Sequence, residues 1–135
     1  MSKIKATYEN NLRTHCEHDN GATLITDGPK QLQGLEEYFS PTDLFATSLA
    51  TCMLTFLGIA AKKLNIDLSG TTATVEKEMT QTPPRRIAKL TVIITSKFNP
   101  TIEQKTILET TATNCPVHLS LHPDIKQEIT FKWNV

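Results

Sequence analysis

The sequence predicts an α+β fold, on three observations. Three short β-rich runs lie ahead of residue 28. One long, uncharged and well-capped helical segment starts at residue 40. Two β-branched runs about a proline-rich turn, a second helical segment and a closing strand complete the chain. The resulting order, ββ(β)–α–ββ–α–β, separates strand runs by helices and lacks the regular βαβ alternation of a doubly wound sheet.

KIKATYE (3–9), LRTHCEH (12–18) and ATLITD (22–27) read as strands. Asn10-Asn11 and Asp19-Asn20-Gly21 separate them, and the second is a good hairpin turn because Asn and Gly tolerate positive φ. Gly28-Pro29 ends the region, and residues 30–39 read as a loop carrying Gly34, Glu36 and Glu37. In SPTDLFATSLATCM (40–53), Ser40 is a natural N-cap, Pro41 suits the first helical position and Asp43 stands where a capping box needs its acid. The helix should run to about Leu64, with Lys62 and Lys63 facing the negative end of its dipole and Asn65 as the stop.

TTATVEKEMT (71–80) and IAKLTVIITSKF (87–98) form a predicted long hairpin about QTPPRR. Asn99-Pro100 opens a second helix to about Asn114, with Ile102, Ile107, Leu108 and Ala112 as its apolar stripe. Pro116 forces a break or restart. EITFKWN (128–134) closes the chain as an alternating strand.

A chain of 135 residues at 39% hydrophobic can bury one core, so a single domain over 1–135 is expected. Fourteen basic and fourteen acidic residues cancel, and no basic block exceeds two residues, so neither nucleic acid nor an anionic membrane surface is an expected partner. MSKIKATYENNLR has no apolar signal region, so a cytoplasmic location and reduced thiols are expected. Leu44 to Ala61 is uncharged over 18 residues, the lower limit for a membrane span. Thr47, Ser48, Thr51 and Thr55 interrupt it, and the expectation is a central helix buried on all sides.

Cys52 lies at least two turns inside that helix, where Ser48, Cys52, Thr55 and Ile59 share one side. A free cysteine there is either a small buried hydrophobe or a redox thiol beside hydroxyls. In ATNCPVHLSL, Asn114 or Cys115 caps a new helical turn whose first residue is Pro116. That thiol is either poised at a helix start or part of a simple break between helices. His15, Cys16 and His18 are metal-ligand types, but no four-ligand spacing accompanies them and adjacent strand residues face opposite ways, so no metal is expected. Phosphate-loop, dinucleotide, serine-hydrolase and zinc-protease motifs are absent.

SPTDLFATSLATCM followed by AAKKLNIDLSG, PPRRIAKLTVII and NCPVHLSL resembles the OsmC/Ohr family of osmotically inducible and organic hydroperoxide resistance proteins. The likeness covers roughly three quarters of the chain and is closest to the broad OsmC-like branch. It implies antiparallel sheets packed around long central helices, and an intertwined homodimer with active sites at the subunit interface. It also implies a thiol peroxidase reducing organic hydroperoxides without metal, haem or flavin, with dithiols, often lipoyl groups, as reductants. Carried over, Cys52 matches the peroxidatic cysteine and Cys115 the resolving one. The peroxidase branches hold an arginine by a glutamate just after the helix-opening proline; here that position is Thr42. The loop before the helix offers only Lys30, so Arg13 is the substitute cation. Glu36, Glu37 and Asp43 are candidate carboxylate partners for it, although the glutamates read better as solvated loop charges and Asp43 as a cap. The alternative function is a non-peroxidatic OsmC-like protein binding a small hydrophobic or electrophilic ligand at the dimer interface.

Overall fold

The computed structural model describes residues 1–135, which divide into two compact units, Met1–Phe45 and Ala46–Val135. In the first unit, β1 (Ile4–Tyr8), β2 (Thr14–His18) and β3 (Thr23–Thr26) form an antiparallel sheet in chain order. Asn10, Asn11 and Leu12 all adopt positive φ, so β2 starts at Thr14 rather than at residue 12. Gly21, at φ 93°, closes the β2–β3 hairpin as expected.

Residues 28–38 form a folded loop that includes a 3₁₀ turn over Lys30–Leu32. The Gly28 carbonyl accepts from the Glu36 N–H at 3.1 Å, and the Pro29 carbonyl accepts from Gly34 at 2.9 Å. A Cβ on Gly34 would overlap the Gly28 carbonyl, so the tight return requires glycine. Phe39 then pairs with Thr26 in a parallel bridge.

The long helix, α1 (Pro41–Lys63), starts as its sequence dictates. Ser40 Oγ accepts from the Asp43 N–H and Asp43 Oδ2 accepts from the Ser40 N–H, both at 3.1 Å, a reciprocal capping box with Asp in the acidic place. At the other end Asn65 takes φ 57°. The Ile66 N–H reaches the Ala61 carbonyl at 2.8 Å and the Asn65 N–H reaches Lys62 at 3.3 Å, a complete Schellman stop.

In the second unit, β4 (Thr72–Met79) and β5 (Ile87–Thr95) form the expected antiparallel hairpin. The closing strand, β6 (Lys126–Lys132), starts two residues earlier than predicted and pairs parallel to β5, which corrects the expectation of purely antiparallel sheets. The cause lies in the connection. Between β5 and β6 stand α2 (Ile102–Thr113) and α3 (Pro116–Ser120), long enough to return the chain to the starting end of β5. Thr101, not Asn99-Pro100, opens α2 through a capping box with Gln104.

One core fills this unit. Leu49, Met53 and Leu57 of α1, Leu90, Val92 and Ile94 of β5, and Leu108 and Ala112 of α2 are fully buried in it. Ile102 and Ile107 are exposed, so only the later half of the predicted α2 stripe packs. α1 is long and apolar enough to cross a membrane. Its buried residues Leu49, Met53 and Leu57 instead interlock with strand residues, which is the work of a core helix in a soluble protein. The expectation of burial on all sides fails within the chain: Thr51, Thr55, Gly58 and Ile59 are exposed. The two threonines donate to backbone carbonyls one turn back, at 2.9 and 2.8 Å, so this face carries no charge and keeps its hydroxyls satisfied.

Candidate functional site

α1 holds Cys52 on the edge of its buried stripe, half-buried, packed against the core cluster and accessible from outside. Cys115 comes from the opposite end of the unit's sequence. It is the N-cap of α3, with Pro116 at the first helical position. Its sulfur accepts the His118 N–H at 3.3 Å, which fixes the side chain inward, and it is completely buried. The two thiols lie near enough to interact electrostatically. Burial above all, with a smaller effect of the neighbouring Cys52, pushes the Cys115 thiol up from its ordinary value, so it stays protonated at neutral pH. The short helix carries further support: Gln127 of β6 bonds both the ring and the carbonyl of His118.

The chemistry of this pair follows from the arrangement. One sulfur is open to a small electrophile, and the other waits behind it, shielded from solvent. A bond between them would join two residues of the same core. The open readings of both cysteines as packing and as chemistry therefore share one geometry: Cys115 is a core residue and also the partner of Cys52.

Arg13 and its partners belong to the first unit. Nε donates to Asp27 Oδ1 at 3.1 Å and Nη2 to Asp27 Oδ2 at 2.9 Å, a side-on bidentate grip. The same Nη2 donates to Glu37 Oε1 at 2.7 Å, and the guanidinium lies 4.9 Å from the Tyr38 ring centre. Asp27 is fully buried and also accepts the Glu37 backbone N–H at 2.9 Å. The hydrogen bond from Arg13 is the main reason its carboxyl titrates below the usual carboxylate range, against the opposing effect of burial. Arg13 is correspondingly held charged.

Glu37, read from sequence as a solvated charge, is thus an ion-pair partner, while Asp43 is the helix cap and Glu36 makes no ion pair. Thr42 shares a hydroxyl contact with Ser40 at 3.2 Å. Asp27 escaped the sequence reading because Asp-Gly-Pro looks like a turn. The hairpin register held the signal: with Thr14 opposite Thr26, the next pair outward is Arg13 and Asp27. No group of three or more His, Cys, Asp or Glu side chains is placed to hold a metal ion.

No curated protein matches the sequence significantly. Among solved structures, a Psychrobacter arcticus 273-4 protein to which an osmotic stress induced and detoxification response is attributed is 45% identical, with a TM-score of 0.91 over 97% of this chain and 96% of its own. An organic hydroperoxide resistance protein from Elizabethkingia anophelis is 24% identical, with a TM-score of 0.77 over 99% and 96% of the two chains. An organic hydroperoxide resistance protein from Legionella pneumophila, OsmC, is 20% identical, with a TM-score of 0.76 over 98% and 96%. The latter two share the fold at low identity. The family model described as OsmC-like protein matches residues 34–130, from the loop before α1 to within β6, and the chain belongs to that family.

Proposed function

We propose that the protein is a thiol-dependent peroxidase of organic hydroperoxides, with Cys52 as the peroxidatic cysteine, Cys115 as the resolving cysteine and Arg13 as the cation serving the reactive thiolate. The observation that carries this reading is the neighbouring pair of a half-exposed and a fully buried thiol in one core. The names of the Elizabethkingia and Legionella structures agree with it.

In the first step the Cys52 thiolate attacks the distal oxygen of the hydroperoxide. The O–O bond breaks, the sulfur becomes a sulfenic acid, and the alkoxide leaves and takes a proton from water to become the alcohol. The Cys115 thiol then gives its proton to the departing hydroxyl as its sulfur attacks that of Cys52, releasing water and forming the disulfide. A dithiol, such as a lipoyl group, supplies two electrons and two protons to restore both thiols. The uncharged outer face of α1 supports a homodimer, and the composition supports work in the cytoplasm.

The test is peroxide consumption by the purified, reduced protein with dihydrolipoamide, comparing cumene hydroperoxide with hydrogen peroxide. Fast turnover of the organic peroxide, abolished by Cys52→Ser, is expected. Absence of turnover together with absence of a Cys52–Cys115 disulfide after oxidant treatment removes the reading. The second reading, a protein that binds a small hydrophobic ligand without turnover, has its own observation. A cavity of about 600 Å³ lies beside the end of α1, floored by Leu54, Leu57, Ala61 and Ile66 and edged by Lys62 and Asp67. Ligand-dependent melting shifts without peroxide consumption would favour it.

A further inference from the structure

We infer that Gln127 is a positioning residue for the Cys115 thiol, acting through His118: its amide ties the single turn of α3 to β6 and so holds the buried sulfur in place. This rests on the reading of Cys115 as the resolving cysteine, and every contact behind it lies within the second unit. α3 has five residues, too few to persist as a helix by itself. Its Leu119 N–H reaches the Cys115 carbonyl at 3.1 Å, and its His118 N–H reaches the Cys115 sulfur at 3.3 Å. Gln127 ties this turn to the sheet. Its Nε2 donates to the His118 carbonyl at 3.4 Å, and its Oε1 accepts from His118 Nδ1 at 2.5 Å. An amide oxygen can only accept, so Nδ1 carries the ring proton. His118 is thus held by β6 at its ring and its carbonyl while its N–H is aimed at the thiol.

Gln127 is the polar exception on its face of β6. It pairs with fully buried Leu90 of β5, and Ile129 and Phe131, which follow it at every second place, pack on the core. A half-buried amide there costs stability unless both of its ends are paired, and both ends go to one residue. A methionine would fill the same space; only the amide can hold both groups of His118. The resolving step supplies the need. The Cys115 S–H and the Cys52 sulfenic acid form the S–S bond, the S–O bond breaks, and the thiol proton leaves with the hydroxyl as water. As the sulfur turns to Cys52 it gives up the His118 N–H that fixed it. α3 then keeps its place through Gln127, so the sulfur attacks from a held turn and not from a frayed one. Burial raises the thiol above its ordinary value and the His118 N–H opposes that rise, so the same held peptide favours the attacking thiolate.

In the test, reduced full-length protein is mixed with one equivalent of cumene hydroperoxide and quenched at intervals with dimedone, which captures the Cys52 sulfenic acid. Peptide mass spectrometry follows the adduct and the Cys52–Cys115 disulfide. Gln127→Met keeps the volume and removes both hydrogen bonds. It should form the disulfide about tenfold more slowly, the scale of two ordinary hydrogen bonds, while Cys52 is oxidised at the wild-type rate. His118→Phe loses only the ring bond and should slow the disulfide about threefold. Wild-type disulfide formation in a natively folded Gln127→Met protein, or equal slowing of both steps, would overturn the assignment. If Gln127→Met does not fold by circular dichroism, His118→Phe decides by the same two rates. Labelling of the Cys115 thiol by methyl methanethiosulfonate needs no peroxide chemistry. It should be about tenfold faster in Gln127→Met, because the turn opens more often, and unchanged labelling overturns the clamp. A wild-type protein that forms neither adduct nor disulfide, with Cys115 labelling still dependent on Gln127, rejects the peroxidase reading alone.

Discussion

Oxidation of the Cys52–Cys115 pair should stabilise the protein by an amount the chain itself sets. The perturbation is one bond between two interacting thiols of the same core. It closes a loop of about 60 residues, and the chain-entropy relation for such a loop gives roughly 4 kcal/mol at 25 °C. The unfolding entropy of a chain of 135 residues is on the order of 0.3 kcal/mol/K, so the full effect raises Tm by about 15 °C. Native-state strain reduces this, because the new bond draws Cys115 away from the His118 N–H that it caps. Half the figure, ~2 kcal/mol, still moves Tm by about 7 °C. The assay is a pair of thermal melts, one with reductant and one after a stoichiometric pulse of cumene hydroperoxide, with the linkage mapped by non-reducing peptide analysis. Cys52→Ser and Cys115→Ser should each abolish the difference. An oxidised protein that carries the mapped Cys52–Cys115 bond yet melts within 2 °C of the reduced form, to take a threshold of roughly a tenth of the expected shift, would refute the reasoning.

Asp27 makes a pH-dependent contribution whose sign follows from its lowered folded-state value. Its stabilisation is present above the ordinary carboxyl value of 3.8 and is lost as pH falls through the lower folded value, so Asp27→Asn should flatten the acid side of a urea-midpoint profile. Cys115 behaves in the opposite sense. Its folded value is raised, so its contribution is complete below the ordinary 9.0 and is lost as pH rises above it, and Cys115→Ala should reduce the alkaline slope. Leu90→Ala removes a fully buried β5 side chain from the core and should cost about 2–5 kcal/mol in urea denaturation. Gly34→Ala forces a Cβ into the Gly28 carbonyl, so faster amide exchange at Glu37 and Tyr38 is expected, with little change in the core amides of β5.

Much of the architecture was legible from local chemistry. Ser40, Pro41 and Asp43 mark the start of α1, and Asn65 marks its end, because a cap or a left-handed stop is chosen within a few residues. The same holds for Gly21 in its hairpin and for Cys115 with Pro116 at the start of α3. Two separated cysteine motifs carried the family resemblance, which the match over residues 34–130 bears out. Asp27 could have been found as well, since a hairpin register extends by simple alternation from its turn.

Other features depend on distance in space, which no local signal encodes. The parallel pairing of β6 with β5 follows from the path of α2 and α3, not from the alternation within EITFKWN. Glu37 looks like any exposed loop charge until the Gly28–Gly34 return brings it to Arg13. The burial of α1 on one face emerged only once β5 and α2 had claimed that face. The interaction between Cys52 and Cys115 spans nearly half the chain. Sequence alone placed Cys52 within the long helix and Cys115 at the break before a new helical turn; which of the two is exposed and which is buried was decided by the packing of the second unit's core, because burial and proximity belong to the assembled core and not to any one segment.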